Sequence, residues 1–418
     1  MNATKWIVVL TGAVLSLIVI VSAQPATAQT GAYKIEEIRL GPMDEKMLFP
    51  VFSRDGCHFA YATLRGQRQC VVVDGQAGAE YDGIAKSSPI FSPDGKRVAY
   101  SARKGEKWFV VVDGQAGPEY DRIGGPIFSP HGKRVAYAAQ NGDKGVVVVD
   151  GKAGVEYDGI GTPIFSPDGQ RVAYSAGKGE KQFVVVDCQA GREYDGISEG
   201  TPIFSPDGKR VAYAAGKGDK GFVVVDGQPG PDYDVIGGLI FSPDGKRVAY
   251  AAGKGDKKFV VVDGRAGAEY DRIGGLIFSP DSKRVAYEAI KGEKCLLVVE
   301  GQAGAEYDVI LEGTPIFSPD GKRVAYGARK GEKWLVVVDG QAGAEYDGIG
   351  ALIFSPDGKR VAYGAKKGDK WFVVVDGQAG AEYDGIDENG PTFHSDGVLE
   401  YLAIKDKSLY RVRYIPVR

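Results

Sequence analysis

A phenylalanine followed by a turn recurs along the chain at Phe52, Phe91, Phe128, Phe165, Phe204, Phe241, Phe278, Phe317, Phe354 and Phe393. The intervals are 39, 37, 37, 39, 37, 37, 39, 37 and 39 residues. One unit, Pro89 to Ile123, reads P-I-F-S-P-D-G-K-R-V-A-Y-S-A-R-K-G-E-K-W-F-V-V-V-D-G-Q-A-G-P-E-Y-D-R-I. A period near 40 residues with Val, Tyr and Gly punctuation, and no helical periodicity, points to propeller blades.

Each unit divides into four short strands, a to d. In the unit above, strand a is expected over Pro89 to Ser92, ended by the type I turn Ser92-Pro93-Asp94-Gly95. Strand b covers Arg97 to Ala102 and closes through the hairpin Lys104-Gly105-Glu106. Strand c covers Trp108 to Val112, and strand d Glu119 to Ile123. Phe109-Val110-Val111-Val112 is apolar without alternation, so both faces of strand c must be covered. With no helices to cover them, neighbouring sheets must, as they do when blades stack about an axis. The expected fold is therefore all-β, a β-propeller of about ten four-stranded blades, with repeats starting near 50, 89, 126, 163, 202, 239, 276, 315, 352 and 391. The last unit stops after its third strand. Tyr33-Lys34-Ile35-Glu36-Glu37-Ile38 resembles a strand d and is expected to complete that blade and close the ring.

The repeated F-S-P-D-G-K-R-V-A-Y resembles the WD-repeat-like blade of TolB-type propellers and of the propeller domains of prolyl oligopeptidase relatives. The resemblance covers nearly all of the chain after residue 28. It implies a propeller fold and, from the TolB side, a protein-interaction role in the cell envelope. Neither the hydrolase domain of the oligopeptidases nor the separate N-terminal domain of TolB is part of the match.

The first residues read differently. Lys5, the apolar run Ile7 to Val21 and the small residues Ala26-Thr27-Ala28 form the layout of a secretory signal peptide. Cleavage is expected after Ala28 or Ala23, leaving residues 29–418 as an exported propeller, periplasmic or extracellular. The run is short for an uncleaved anchor, which wants about 20 apolar residues, so no stable membrane insertion of the mature chain is expected. A net charge of −3 lacks the basic excess of a nucleic-acid binder. Cys57, Cys70, Cys188 and Cys295 fall at unrelated repeat positions and are expected as isolated thiols.

Chemistry-bearing residues are sparse. The a–b turns carry Asp55, Asp94, Asp168, Asp207, Asp244, Asp281, Asp320, Asp357 and Asp396, with His131 in the remaining place. A cation-binding rim is one reading; turn stabilisation by local hydrogen bonds is the simpler one. His58 and His394 would lie in adjacent blades of a closed ring, which keeps a lyase or hydrolase site as the alternative function. Strand order puts the b–c and d–a loops on one face, and Lys-rich hairpins (Lys104 and Lys107, Lys217 and Lys220, Lys366 and Lys370) make that face mildly basic. The position before the valine run varies: Gln69, Trp108, Gly145, Gln182, Gly221, Lys258, Cys295, Trp334, Trp371 and Tyr410. Tyr and Trp are enriched at binding hot spots, so Trp108, Trp334, Trp371 and Tyr410 are the candidate partner-binding residues. The expected function is a non-catalytic, monomeric scaffold that binds a protein or a glycan, without cofactor or metal.

Overall fold

The turns explain why each repeat folds into a meander. Asp113 and Gly114 both have positive φ, 51° and 79°, the type I′ geometry whose twist matches that of the strands it joins. The turn between Lys104 and Lys107 puts its positive φ on Gly105 (61°) instead. The computed structural model describes residues 48–387 and 390–415, and these form ten antiparallel sheets with no helix among the described residues. The chain has a β-propeller fold of about ten blades. Tyr33–Ile38, the expected closing strand, and the expected signal segment lie outside the described residues, and no strand pairing joins the first and last sheets among them.

Blade 2 represents the pattern. Strand b is Val98–Lys104 and strand c Lys107–Val112, in register from Ala99↔Val112 to Lys104↔Lys107. Strand a consists of Ile90–Phe91 and, separately, Gly83–Ile84, both paired with b. Strand d is Gln115–Ala116, continued by a bridge between Tyr120 and Trp108. This corrects the expected strand d of Glu119 to Ile123: Arg122–Ile123 pairs with strand b of blade 3. The string Tyr-Asp-x-Ile crosses between sheets at its aspartate. In blades 6, 7 and 9 the two pieces of strand a merge, as in Val235–Phe241.

The valine run behaves as its pattern requires. Val111 packs in a cluster with Val71 of blade 1 and Tyr100. Val110, facing the other way, packs with Tyr137, Val146 and Val148 of blade 3. Each such valine is essentially fully buried and contributes about 1.5–3 kcal/mol. Tyr100 lies edge-on to Tyr81, with ring centroids 6.1 Å apart, and its hydroxyl approaches the backbone at Gly78. A Cβ there would stand 3.6 Å from that oxygen and 3.2 Å from the Val71 carbonyl.

The last blade departs from the rest. Its strands are Gly385–Ile386 with Thr392–Phe393, Leu399–Lys405 and Ser408–Tyr414, and among the described residues no strand d follows.

Candidate binding face

The b–c hairpins and the d–a crossings meet on one face. Asp82, at the crossing into blade 2, accepts the N–H of the hairpin residue Gly105 at 2.7 Å. Asp121 repeats this with Gly142 at 2.7 Å and also accepts from Lys107 of its own blade at 2.6 Å. The contacts recur through Asp158, Asp195, Asp234, Asp271, Asp308 and Asp347. Hydrogen bonds from Lys107 and from the Gly142 N–H hold the Asp121 carboxyl below the usual carboxylate range and raise the Lys107 ammonium. From blade 2 to blade 9 the lysine that opens strand c is thus neutralised by its own crossing aspartate.

On this lattice stand the tryptophans. Trp108, Trp334 and Trp371 begin the apolar stretch of strand c, directly opposite Arg103, Arg329 and Lys366 on strand b. Residues this close across a strand pair interact through their side chains. In all three the cation lies over the indole, at 5.9, 5.7 and 5.9 Å from the ring centroid. Each tryptophan is half-buried, and on its other edge Tyr120, Tyr346 or Tyr383 pairs with it. The three arginine and lysine environments differ. Arg103 donates to the carbonyls of Gly105 (2.9 Å) and Asp82 (3.4 Å). Among the described residues Arg329 and Lys366 have no side-chain hydrogen bond, and the buried Nε of Arg329 has no acceptor.

Elsewhere the same position is used for packing. Gln69 and Gln182 accept the N–H of Ile84 and Ile197, at 2.6 and 2.8 Å. Gly145 lies beneath Ile160, where a Cβ would come within 2.8 Å of that side chain. Lys258 turns its amine back to the Gly255 carbonyl, 3.3 Å away.

Tyr410 does not belong to this set. It pairs with Ala403, as Phe109 pairs with Ala102, so the tryptophan position in blade 10 is held by Leu409 opposite Ile404. Arg411 stands where other blades begin their valines, which removes the landmark that aligned Tyr410 with the tryptophans.

The other candidates are separately engaged. The Asp94 carboxylate accepts the Ser92 hydroxyl at 2.6 Å and the Lys96 N–H at 3.3 Å, and the pattern repeats at the other a–b aspartates from Asp55 to Asp357. His58 binds Asp74 through Nδ1 at 2.7 Å and faces the Phe91 ring at 6.3 Å. His394 lies 3.5 Å from Glu400, which also pairs with Arg411 and Arg413. Among the described residues no group of three or more metal-ligating side chains forms. None of Cys57, Cys70, Cys188 and Cys295 forms a disulfide, and Cys70 pairs opposite Thr63.

One recurring device was missed in the sequence. Arg97 donates from Nε to Asp113 at 2.8 Å and from a terminal nitrogen to the Lys133 carbonyl of blade 3 at 2.8 Å, with its plane over Phe128. This staple lines shallow clefts between adjacent blades on the a–b and c–d face, one of about 510 Å³ between blades 2 and 3. The constant Arg before Val-Ala-Tyr was the available signal.

No family model matches the chain, and no curated protein matches it. Solved structures that resemble it include a eukaryotic initiation factor, at 12% identity and TM-score 0.39, covering 82% of this chain and 90% of that one. The propeller domain of the Trilobed protease from Pyrococcus furiosus aligns at 13% identity and TM-score 0.30, covering 61% and 94%. The Dos1 propeller aligns at 11% and 0.34, covering 71% and 90%.

Proposed function

We propose that the chain is an exported, non-catalytic propeller scaffold that captures a protein or a glycan on the face formed by its b–c hairpins. The observation that carries this reading is the register position shared by Trp108, Trp334 and Trp371. Three blades present a half-exposed indole under a cation there, whereas others fill the place with small or inward-bonded groups. Trp334 and Trp371 sit in consecutive blades and form the centre of the surface. Export rests on Lys5, the run Ile7 to Val21 and Ala26-Thr27-Ala28. The lyase or hydrolase reading has less support, because His58 and His394 are each taken up by a different carboxylate.

The test uses the chain from residue 29 as bait, as wild type and as the double variant Trp334→Gln/Trp371→Gln. Glutamine is the residue that blades 1 and 4 already carry at this position, so the variant should keep its fold, checked by circular dichroism. The expected result is a partner retained by the wild type and lost by the variant. Equal capture by both would overturn the proposal.

A further inference from the structure

We infer that the ligand of this face is an acidic polysaccharide, held by Arg329 and Lys366 against Trp334 and Trp371; the inference rests on the binding reading above. The argument begins with charge. In blade 5 the hairpin carries Lys217, Asp219 and Lys220, and Lys220 is matched by Asp234 at the following crossing. That set is neutral. Blade 8 carries the same set, Lys330, Glu332, Lys333 and Asp347, with Arg329 added. Blade 9 carries Lys367, Asp369, Lys370 and Asp384, with Lys366 added. Blades 8 and 9, which are consecutive, therefore each carry one cation more than blade 5, and in both it is the residue over the indole; Glu345 and Glu382 act on Lys333 and Lys370 there as Asp232 acts on Lys220 in blade 5. Blade 6 also has an added lysine, but Lys258 takes the tryptophan position itself, opposite Gly253, and is bonded to the Gly255 carbonyl.

The second part is hydrogen bonding. Arg103 at the same place in blade 2 spends its donors on two carbonyls, while no side-chain hydrogen bond of Arg329 forms among the described residues; its Nε is buried, so the donors for a ligand are its terminal nitrogens. A guanidinium stacked on an aromatic ring keeps its edge donors free, in a fork that suits a carboxylate or sulfate. A half-exposed indole beside it offers a flat apolar surface for a sugar ring, which wants both an apolar contact and a partner for its anionic group. A peptide strand would need an unpaired sheet edge, and strands b and c here are paired on both sides in blades 8 and 9.

Dextran, carboxymethyl-dextran and dextran sulfate share one backbone and differ only in their charged group, so binding of the chain from residue 29 to each separates charge from sugar. The expected result is binding to one or both anionic forms and not to dextran, weakened by rising salt; which form binds better identifies the acid. Arg329→Gln/Lys366→Gly, residues found at this place in other blades, should weaken that binding by at least about tenfold, one decade in Kd. Lys178→Gln/Lys217→Gln, removing two hairpin charges elsewhere, should not. Undiminished binding by Arg329→Gln/Lys366→Gly overturns the inference. If dextran or a protein is captured in a tryptophan-dependent way while the anionic forms are ignored, the inference falls and the binding face stands. If Trp334→Gln/Trp371→Gln has no effect on any capture, both fall.

Discussion

The guanidinium of Arg134 lies 5.5 Å above the ring of Phe165, the residue that opens the turn of the next blade. From the same position its Nε donates to Asp150 at 2.9 Å and a terminal nitrogen donates to the Gln170 carbonyl at 2.6 Å. One side chain thus ties the c–d turn of its own blade to the a–b turn and the ring of its neighbour. The contact recurs from Arg97 to Arg360, and it needs a planar group with donors in two directions.

Arg210→Lys removes that geometry while keeping the charge. Losing the Lys246 carbonyl bond and the stacking on Phe241 should cost about 1–2 kcal/mol. Urea denaturation would measure it, against Lys217→Gln as an exposed control within about 0.5 kcal/mol of wild type. An Arg210→Lys midpoint equal to the control's would mean that the staple is incidental.

Blade 1 replaces the arginine with His58, and this makes one junction sensitive to pH. The hydrogen bond to Asp74 raises the imidazole pKa above its ordinary 6.5. The folded state therefore binds the proton more tightly than the unfolded one, and the resulting stabilisation is fully present below about pH 6.5. It is lost as pH rises through the higher folded value. His58→Arg should remove this dependence and extend the staple to the carbonyls of the blade 2 turn. Melting temperatures at pH 5.5 and 8.5 test the point: the variant should gain more over wild type at pH 8.5.

The crossing aspartates act in the opposite sense. Asp271 accepts from Lys257 at 2.6 Å and from the Gly292 N–H at 2.7 Å, and these bonds, the lysine's first, lower its pKa below 3.8. Its contribution is present above the unfolded value and disappears as pH falls through the depressed folded one. The urea midpoint should therefore fall as pH drops from about 4 to 2, and less steeply in Asp271→Asn than in wild type. Parallel curves would place the acid sensitivity elsewhere.

Much of this architecture could be read from residues alone, for a physical reason. An unbroken Phe109-Val110-Val111-Val112 has one explanation, a strand covered on both faces, and the structure has neighbours on both. The end of strand d was harder. Tyr120 to Ile123 is continuous in sequence, and only the pairing of Arg122 with Gln140 reveals the change of sheet. The tryptophan position was legible, but the cation over each ring was not, because Arg103 and Trp108 are related by hairpin register. That register also displaced Tyr410. The turn Asp406-Lys407, with both φ values positive at 50° and 60°, sets the pairing in blade 10, and no valine run marks it.

Cys188 and Ser282 both take a left-handed backbone where other blades carry glycine, and their environments predict different outcomes. Cys188 has φ 65° where other blades have glycine, as at Gly151 and Gly227 with φ 75° and 76°. It is exposed, so its side chain adds little to offset the left-handed backbone. Relief of that strain is worth roughly 1–2 kcal/mol, less about 0.5–1 kcal/mol for the added freedom of glycine in the unfolded chain. Cys188→Gly should accordingly stabilise by about 0.5–1 kcal/mol. Ser282 also has φ 65°, in an a–b turn, but its hydroxyl accepts the Asp244 N–H of the preceding blade at 2.9 Å. Losing that buried bond costs about 0.5–1.5 kcal/mol, which offsets the relief, so Ser282→Gly should be close to neutral. Urea midpoints of the two variants provide the comparison. A gain in Ser282→Gly as large as in Cys188→Gly would show that the serine bond contributes nothing to the junction between blades 6 and 7.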